Sequence, residues 1–484
     1  MIKKLFSGQI NSITIAALLV ALSSLVSRFL GIFRDRILAG EFGAGDTLDI
    51  YYAAFRIPDL LFNLLVLGAL SAGFIPVFTA LLKKSQPLAP FLNKKGKNQK
   101  EAWEFASNVL NILGLSLIVV SGFCIIFAPE LMKLITPGFS FEKRVLAANL
   151  TRIMFLSPIF LGISSVLGGV LQSFKRFFVY SLAPIMYNIG IVTGALYFVP
   201  VWGVYGLAWG VVFGAFLHML VQAPAVFQLG FKYRLKINLK SEEIKKIAVM
   251  MVPRAMSLGI SQINLLVITI IASTLAGGSL AIFNFANNLQ SFPVGIFGIS
   301  FAVAAFPTLS AIAFNKKKLI DNFSKIFRQI LFFIVPATVL LLTLRAQITR
   351  VILGTGHFDW EDTILTINTL GFFAISLFAQ ASLPLLVRMF YARHNAKTPF
   401  LIGIASAVLN VFLSIYFVRD LGVAGLALAF SIANIFNFIL LWLALRFEIG
   451  SLDETNILIS SIKFTAAAMA CGIAVQGAKL LVWP

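Results

Sequence analysis

Runs of about 20 predominantly apolar residues, the length an α-helix needs to cross roughly 30 Å of hydrocarbon, recur along nearly the whole chain. In lipid every backbone N–H and C=O must be satisfied within the protein, which leaves helices or closed barrels. Barrel strands would alternate in segments of about ten residues, and that spacing is missing. The runs predict an all-α polytopic membrane protein with about 13 transmembrane helices, over 10–32, 50–82, 102–128, 145–171, 179–200, 204–229, 244–276, 280–313, 320–344, 363–390, 398–418, 422–446 and 456–480. Of the 484 residues 59% are hydrophobic and 12% charged, whereas soluble domains carry about a quarter charged residues. The second and eighth runs exceed the required length and contain Pro58 with Pro76 and Pro293 with Pro307, so each is a candidate for a tilted or broken helix. The first run is too long for a cleavable signal peptide, and no small-residue cleavage pattern follows it.

A formal net charge of +20 would fit a nucleic-acid partner if it were gathered on one surface. The charge instead alternates from loop to loop. With the amino terminus cytoplasmic, the cytoplasmic loops hold 25 of the 39 Lys and Arg residues and the opposite side nine. This positive-inside bias predicts an N-in, C-out protein of the inner membrane whose basic loops rest on membrane lipids, with no role for nucleic acid. Cys124 and Cys471 fall within predicted spans, so neither a disulfide nor a metal site is expected.

The chain also resembles itself. Gly203-Val204-Tyr205-Gly206-Leu207-Ala208 recurs as Gly422-Val423-Ala424-Gly425-Leu426-Ala427, Asn188 corresponds to Asn410 in the preceding helix, and Phe74-Ile75-Pro76 resembles Ala305-Phe306-Pro307. Similar offsets point to one duplication, giving lobes of six helices at 1–232 and 233–447 and one extra helix at 448–484. Six is even, so the repeat is parallel, and such repeats commonly flank a central site.

Charges inside spans cost about 2.5–3.5 kcal/mol each on insertion scales and normally face a cavity or a partner. Arg28, Arg56, Arg152, Arg254 and Lys463 are so placed. Arg152, Arg254 and Lys463 lie near span ends, where a long side chain can reach the interface. Arg28, Arg34 and Arg56 bracket one short connection, with Asp35 and Asp49 as nearby counter-charges. Guanidinium groups offer paired donors that match phosphate oxygens, so this cluster predicts an anionic substrate, with structural ion pairing as the competing reading. There is no phosphate loop of the ATPase type, no zinc motif and no cofactor fingerprint. Of the three histidines, His218 lies in an apolar span and is expected to be a hydrogen-bonded packing group, while His357 and His394 fall in loops.

The block Ser27-Arg28-Phe29-Leu30-Gly31-Ile32-Phe33-Arg34-Asp35, followed by Phe42-Gly43-Ala44-Gly45 with Asp49, then Arg56-Ile57-Pro58-Asp59 and Gly73-Phe74-Ile75-Pro76, resembles the opening of the MurJ (MviN) lipid flippases. The likeness continues through Pro137-Gly138-Phe139, Gln262-Ile263-Asn264, Phe292-Pro293-Val294-Gly295, Gly356-His357-Phe358-Asp359 and Arg388-Met389-Phe390-Tyr391, covering about 10–450. The resemblance implies the multidrug/oligosaccharidyl-lipid/polysaccharide exporter fold, two six-helix lobes around a central cationic cavity. It also implies a transporter that carries lipid II, an undecaprenyl-diphosphate-linked disaccharide-pentapeptide, to the outer leaflet by alternating access, with cell-wall synthesis proteins as candidate partners. Arg28 and Arg34 match family arginines that serve the diphosphate, Asp35 and Asp49 match acidic positions of that region, and Arg56 matches a basic position. Other family charges fall on Phe62, Leu67, Asn287 and Asn288, and the sodium-linked aspartate of some members falls on Ile268. Arg254 is a candidate substitute for the missing eighth-helix arginine, at a different depth. One helix follows 447 where the family usually has two, so the groove for the polyprenyl tail is expected to be incomplete. The competing readings are a flippase for another undecaprenyl-diphosphate-linked oligosaccharide, a transport-inactive cell-wall scaffold, and, least of all, a membrane glycosyltransferase.

Overall fold

The computed structural model describes residues 13–67, 73–83 and 95–482, and among these every regular element is helical. In chain order the helices are α1 (Ile13–Phe42), α2 (Asp46–Leu61), α3 (Ile75–Lys83), α4 (Lys95–Ile126), α5 (Ala128–Ile135), α6 (Phe141–Ser173), α7 (Phe177–Trp202) and α8 (Tyr205–Gln228). They continue as α9 (Glu242–Ser273), α10 (Ser279–Ala311), α11 (Lys316–Leu353), α12 (Trp360–Ile375), α13 (Leu377–Ala392), α14 (Lys397–Leu421), α15 (Val423–Ile449) and α16 (Glu454–Val482). Among the described residues nine helices are long and apolar enough to cross a membrane, and α12 with α13, bent by 45°, makes a tenth. The remaining spans of the expected thirteen correspond to α1, α2 with α3, and α9. These carry charges within their length or run into residues outside the described set.

Both proline-bearing spans are interrupted, and the cause is local. A proline removes one helical N–H and its ring crowds the carbonyl four residues earlier. Pro58 lies in α2, and the helix widens just beyond it into a π-helical turn at Phe62–Leu67. The carbonyl it displaces is that of Ala54, which accepts a hydrogen bond from the Thr151 hydroxyl of α6 at 3.3 Å. Pro293 likewise precedes a π-helical stretch, Val294–Ile299. Wide turns of this kind absorb the missing bond without ending the helix.

The chain divides into two units, residues 1–37 with 50–266, and residues 38–49 with 267–484. In the first, α7 and α8 meet through glycines. A Cβ on Gly190 would lie 2.2 Å from the Gly214 Cα, and one on Gly194 would lie 2.3 Å from the Gly210 Cα. Backbones can approach this closely only where side chains are absent, the device by which helices associate in lipid. In the second unit α14 and α15 pack through small residues, with Ala424, Gly425, Ala427, Ala429 and Ser431 buried on α15 and Ser406 bonded to the Ala433 carbonyl. Large apolar side chains point outward instead: Leu22, Val26, Phe29 and Phe33 form a stripe on α1, and Leu401, Ile404, Val408 and Phe412 another on α14. Small residues at these helix contacts and large apolar ones on the outer faces suit a hydrocarbon solvent.

The repeated segment has the same local form in both places. Gly203 and Gly422 close the preceding helix with φ +58° and +55°, ψ −145° and −135°, a region open only to glycine. Three residues later Gly206 and Gly425 press against the backbone of that preceding helix. A Gly210→Leu variant is expected to lose on the order of 1–3 kcal/mol from overpacking of α7 on α8. Thermal unfolding in detergent checks this, and an unchanged midpoint would show that the contact is not tight.

Candidate functional site

The first unit gathers polar side chains from α1, α2 and α7. Arg34 donates through Nε and Nη2 to Asp35 Oδ1 at 3.1 and 2.8 Å, and through Nη1 to Asn188 Oδ1 of α7 at 3.4 Å. The Asn188 amide nitrogen turns back to α1, reaching Ser27 Oγ at 3.3 Å, and also reaches the Pro184 carbonyl at 3.1 Å. One helical turn from Ser27, Ser23 donates to Ser181 Oγ at 3.0 Å. The α1 face that carries Ser23, Ser27 and Arg34 is thus laced to α7, next to the apolar stripe. The Asp35 side chain is 5% exposed and that of Arg34 22%, so the pair is mostly withdrawn but one edge of the guanidinium stays open.

Tyr52, Arg56 and Asp59 follow at i, i+4 and i+7 on one face of α2. Tyr52 is within electrostatic reach of Asp35, Arg34 and Arg56, Arg56 of Asp59 and Tyr52, and Tyr187 of Tyr51, Asp59 and Arg34. Arg34 and Arg56 therefore belong to one connected cluster, each with a carboxylate neighbour and with tyrosine hydroxyls between them. Arg28 lies six residues before Arg34 on α1, about 9 Å along the axis at 1.5 Å per residue. It is half-buried, and it has no hydrogen-bond or ion-pair partner among the described residues. Six residues also turn α1 by about 240°, so Arg28 leaves a different face from Arg34, and no contact among the described residues joins it to the Arg34–Arg56 cluster.

The other named positions fall elsewhere. Asp49 belongs to the second unit, where Oδ2 accepts from the Gly278 amide at 2.7 Å and Oδ1 from the Ala281 amide at 2.9 Å. Its carboxylate caps the amino terminus of α10, satisfying donors that a helix leaves unpaired. Arg254 sits on α9, but its side chain lies outside the described residues. Arg152 is exposed and bonds to the Ile125 carbonyl and to Asn149, and Lys463 is exposed on α16. His218 shares a hydrogen bond with Ser164 at 2.7 Å, and Gln222 donates to the same hydroxyl, so the histidine is a buried packing group as its apolar span implied. Asp59, Tyr52 and Tyr187 were not singled out by the sequence reading. Asp59 had a signal, its place three residues after Arg56 on a helix.

The second unit encloses a large apolar hollow of about 800 Å³ between α11, α13, α15 and α16. Phe327, Leu331, Phe378, Phe438, Trp442 and Leu458 line it, with Glu454 at its rim. The helix beyond residue 447, α16, supplies Leu458 and Glu454 to its lining.

A family model described as "Lipid II flippase MurJ" matches residues 38–483. The chain belongs to the MurJ family. MurJ relatives extend along most of its length. The probable lipid II flippase MurJ of Buchnera aphidicola subsp. Baizongia pistaciae is 29% identical over 93% of this chain and 86% of its own. The lipid II flippase MurJ of Burkholderia cenocepacia is 29% identical over 89% and 83%. Among solved structures, a lipid II flippase MurJ in an inward closed conformation matches with a TM-score of 0.78 at 24% identity, covering 94% of this chain and 93% of that one. An inward-facing multidrug resistance MATE family transporter of the MOP superfamily matches at 0.72 and 18%, covering 91% and 99%. The fold is thus that of MurJ and the MATE transporters, and the MurJ family is one of transporters rather than enzymes. The expected fold class and family resemblance both stand, and a multi-pass inner-membrane protein of bacterial type follows from the family and the apolar helices.

Because Asp49 acts as a cap, Asp49→Ala is expected to cost about 1–2 kcal/mol of stability, the upper range for losing an amino-terminal cap. Arg28→Ala leaves no partner stranded and is expected to leave the unfolding midpoint unchanged. Comparing the two melting curves tests whether the Asp49 carboxylate is structural here; an unaffected Asp49→Ala protein would contradict it.

Proposed function

We propose that this chain moves lipid II from the cytoplasmic to the outer leaflet by alternating access of two parallel six-helix lobes, 1–232 and 233–447, with the amino terminus cytoplasmic and the carboxyl terminus outside. A diphosphate with attached sugars cannot pass through hydrocarbon unaided, since an ion in a low-dielectric medium loses its hydration. The protein's task is to supply a polar route while the isoprenyl tail remains in an apolar one. The observation that carries the reading is the uncommitted guanidinium of Arg28, inside a membrane-spanning helix and about 9 Å along it from the Arg34 pair.

In this reading Arg28 makes first contact with the diphosphate through a two-pronged donor pair. Arg34 and Arg56 add positive potential, and Asp35 and Asp59 hold their side chains in place when no substrate is bound. Phosphate oxygens approach the open edge of Arg34 while Asp35 keeps its own bond, so no buried carboxylate is stripped of its partner. Asp49 contributes indirectly, by fixing the start of α10. Arg254 is assigned a supporting electrostatic role near the cytoplasmic face. The apolar hollow beside α16 is the natural resting place for part of the tail. Outward transfer of two negative charges would also be favoured by an interior-negative potential, by about 2.3 kcal/mol per charge at 100 mV.

The reading is tested by expressing the intact chain and an Arg28→Ala variant in flippase-depleted bacterial cells. The intact chain is expected to restore growth, and the variant to fail while reaching the membrane in equal amount. Full rescue by Arg28→Ala would remove the assigned anchor, and no rescue by the intact chain would remove lipid II as the cargo. Leu458→Arg, which places a charge in the hollow, is expected to slow translocation in proteoliposomes by about 10-fold or more, from the 2.5–3.5 kcal/mol that a buried charge costs. Unaltered rates would separate the hollow from the tail path.

A further inference from the structure

Between α8 and α9 the chain is non-helical over residues 231–238, and α4 holds it in place. Four residues of α4, Glu104, Ser107, Asn108 and Asn111, stand at i, i+3, i+4 and i+7, on one helix face. Asn108 makes a reciprocal pair with residue 238, accepting from its amide at 2.7 Å and donating to its carbonyl at 2.9 Å. Asn111 donates to the carbonyls of Arg234 and Lys236 at 2.8 and 3.0 Å and accepts from the Tyr233 hydroxyl at 2.6 Å. Ser107 accepts from the Arg234 amide, and Glu104 pairs with Arg234 and Lys236. At the start of the segment Phe231 is buried against Trp103, with ring centroids 5.5 Å apart. The side chains of α4 thus do for this segment what a neighbouring strand would do.

The clasp decides which side chains face away. Within the segment the Lys236 amide donates to the Arg234 carbonyl at 3.0 Å, a three-residue turn that throws Leu235 outward. Arg234 and Lys236 reach Glu104 of α4 while staying 45% and 60% exposed, residue 238 is held by its backbone, and Leu235, Ile237 and Leu239 make no such contact and stand out at 84%, 50% and 64% exposure. Three large apolar side chains in a row are unusual on a water-facing surface. Here Lys232 and Lys240 flank them in the chain, and past Glu242 and Glu243 come Lys245, paired with Glu242, and Lys246. An apolar row fringed by lysines is the composition of a segment lying in the headgroup layer, where the apolar side chains enter the acyl boundary and the ammonium groups stay with phosphate. Both ends continue into helices of the membrane bundle, which keeps the segment beside the bilayer.

We infer that residues 232–240 form an interfacial strap, clasped by α4 and docked on anionic phospholipid headgroups of the cytoplasmic leaflet through Leu235, Ile237 and Leu239. Its lysines supply the charge complementarity that selects an anionic lipid surface over a neutral one. The strap is separate from the arginine cluster and from the carried lipid, so it stands whatever the cargo proves to be.

The test places single cysteines at 235, 236, 237, 238 and 239 of the full-length chain in a Cys124→Ala/Cys471→Ala background. Each is labelled with a small fluorophore, and the protein is reconstituted in nanodiscs of phosphatidylcholine with or without phosphatidylglycerol. Quenching by doxyl-labelled lipid is expected to be at least about twofold stronger at 235, 237 and 239 than at 236 and 238, and stronger with phosphatidylglycerol present. Aqueous iodide is expected to show the reverse preference. Strong iodide quenching with weak lipid quenching at the odd positions would overturn the proposal, as would shielding from both quenchers, which would mean that protein covers the row. In an Asn108→Ala/Asn111→Ala protein the alternation is expected to vanish; its survival would refute the clasp.

Discussion

An arginine in the middle of a membrane-spanning helix costs about 2.5–3.5 kcal/mol to insert, and the first two helices of this chain carry several. The structure meets that cost with neighbours of graded strength. Arg34 has a carboxylate and an amide, Arg56 has Asp59 and Tyr52 nearby, and Arg28 has no partner among the described residues. Removing one partner of a buried pair would strand the other, whereas an unpaired half-buried cation already carries the penalty and gains most from an incoming anion. The proposed role follows this gradation, with Arg34 and Arg56 held by neighbours and Arg28 offered as the group that meets the anion.

The same solvent explains the packing. Hydrocarbon gives no reward for burying leucine, so helices associate where backbones can touch and where hydroxyls and amides can bond across the gap. Gly190, Gly194, Gly210 and Gly214 do the first, and the Ser23 to Ser181 and Asn188 to Ser27 bonds do the second. The second device also sets the site, since Asn188 joins α7 to both Ser27 and Arg34 of α1. The same side chain thus packs two helices together and holds Arg34.

Much of this was legible in the residues. Apolar run length announced the helices, Pro58 and Pro293 announced the wide π-helical turns that follow them, and the Gly203 and Gly422 segments announced a shared backbone form that their matching φ values display. The arginine cluster was visible because three guanidiniums so close in sequence are rare in lipid. Its counter-charges were harder. Asp49 lies as near to Arg56 in sequence as Asp35 lies to Arg28, yet it caps α10, more than 200 residues away, a contact that no local pattern encodes. Asp59 and Tyr187 join the cluster through helical phase and tertiary packing. The apolar hollow likewise needs four helices that are distant in sequence, which no local pattern brings together.

The account rests on guanidinium groups of α1 and α2 recognising a diphosphate. Equilibrium binding of lipid II to the purified full-length chain, with an undecaprenyl monophosphate in parallel, tests this most directly. The intact chain should prefer the diphosphate, and replacing Arg28, Arg34 and Arg56 by Gln should weaken lipid II binding on the order of 10- to 100-fold, from about 1.5–3 kcal/mol for a hydrogen bond to a charged group, while leaving the monophosphate nearly unaffected. Equal lipid II affinity in the intact and substituted chains would contradict it.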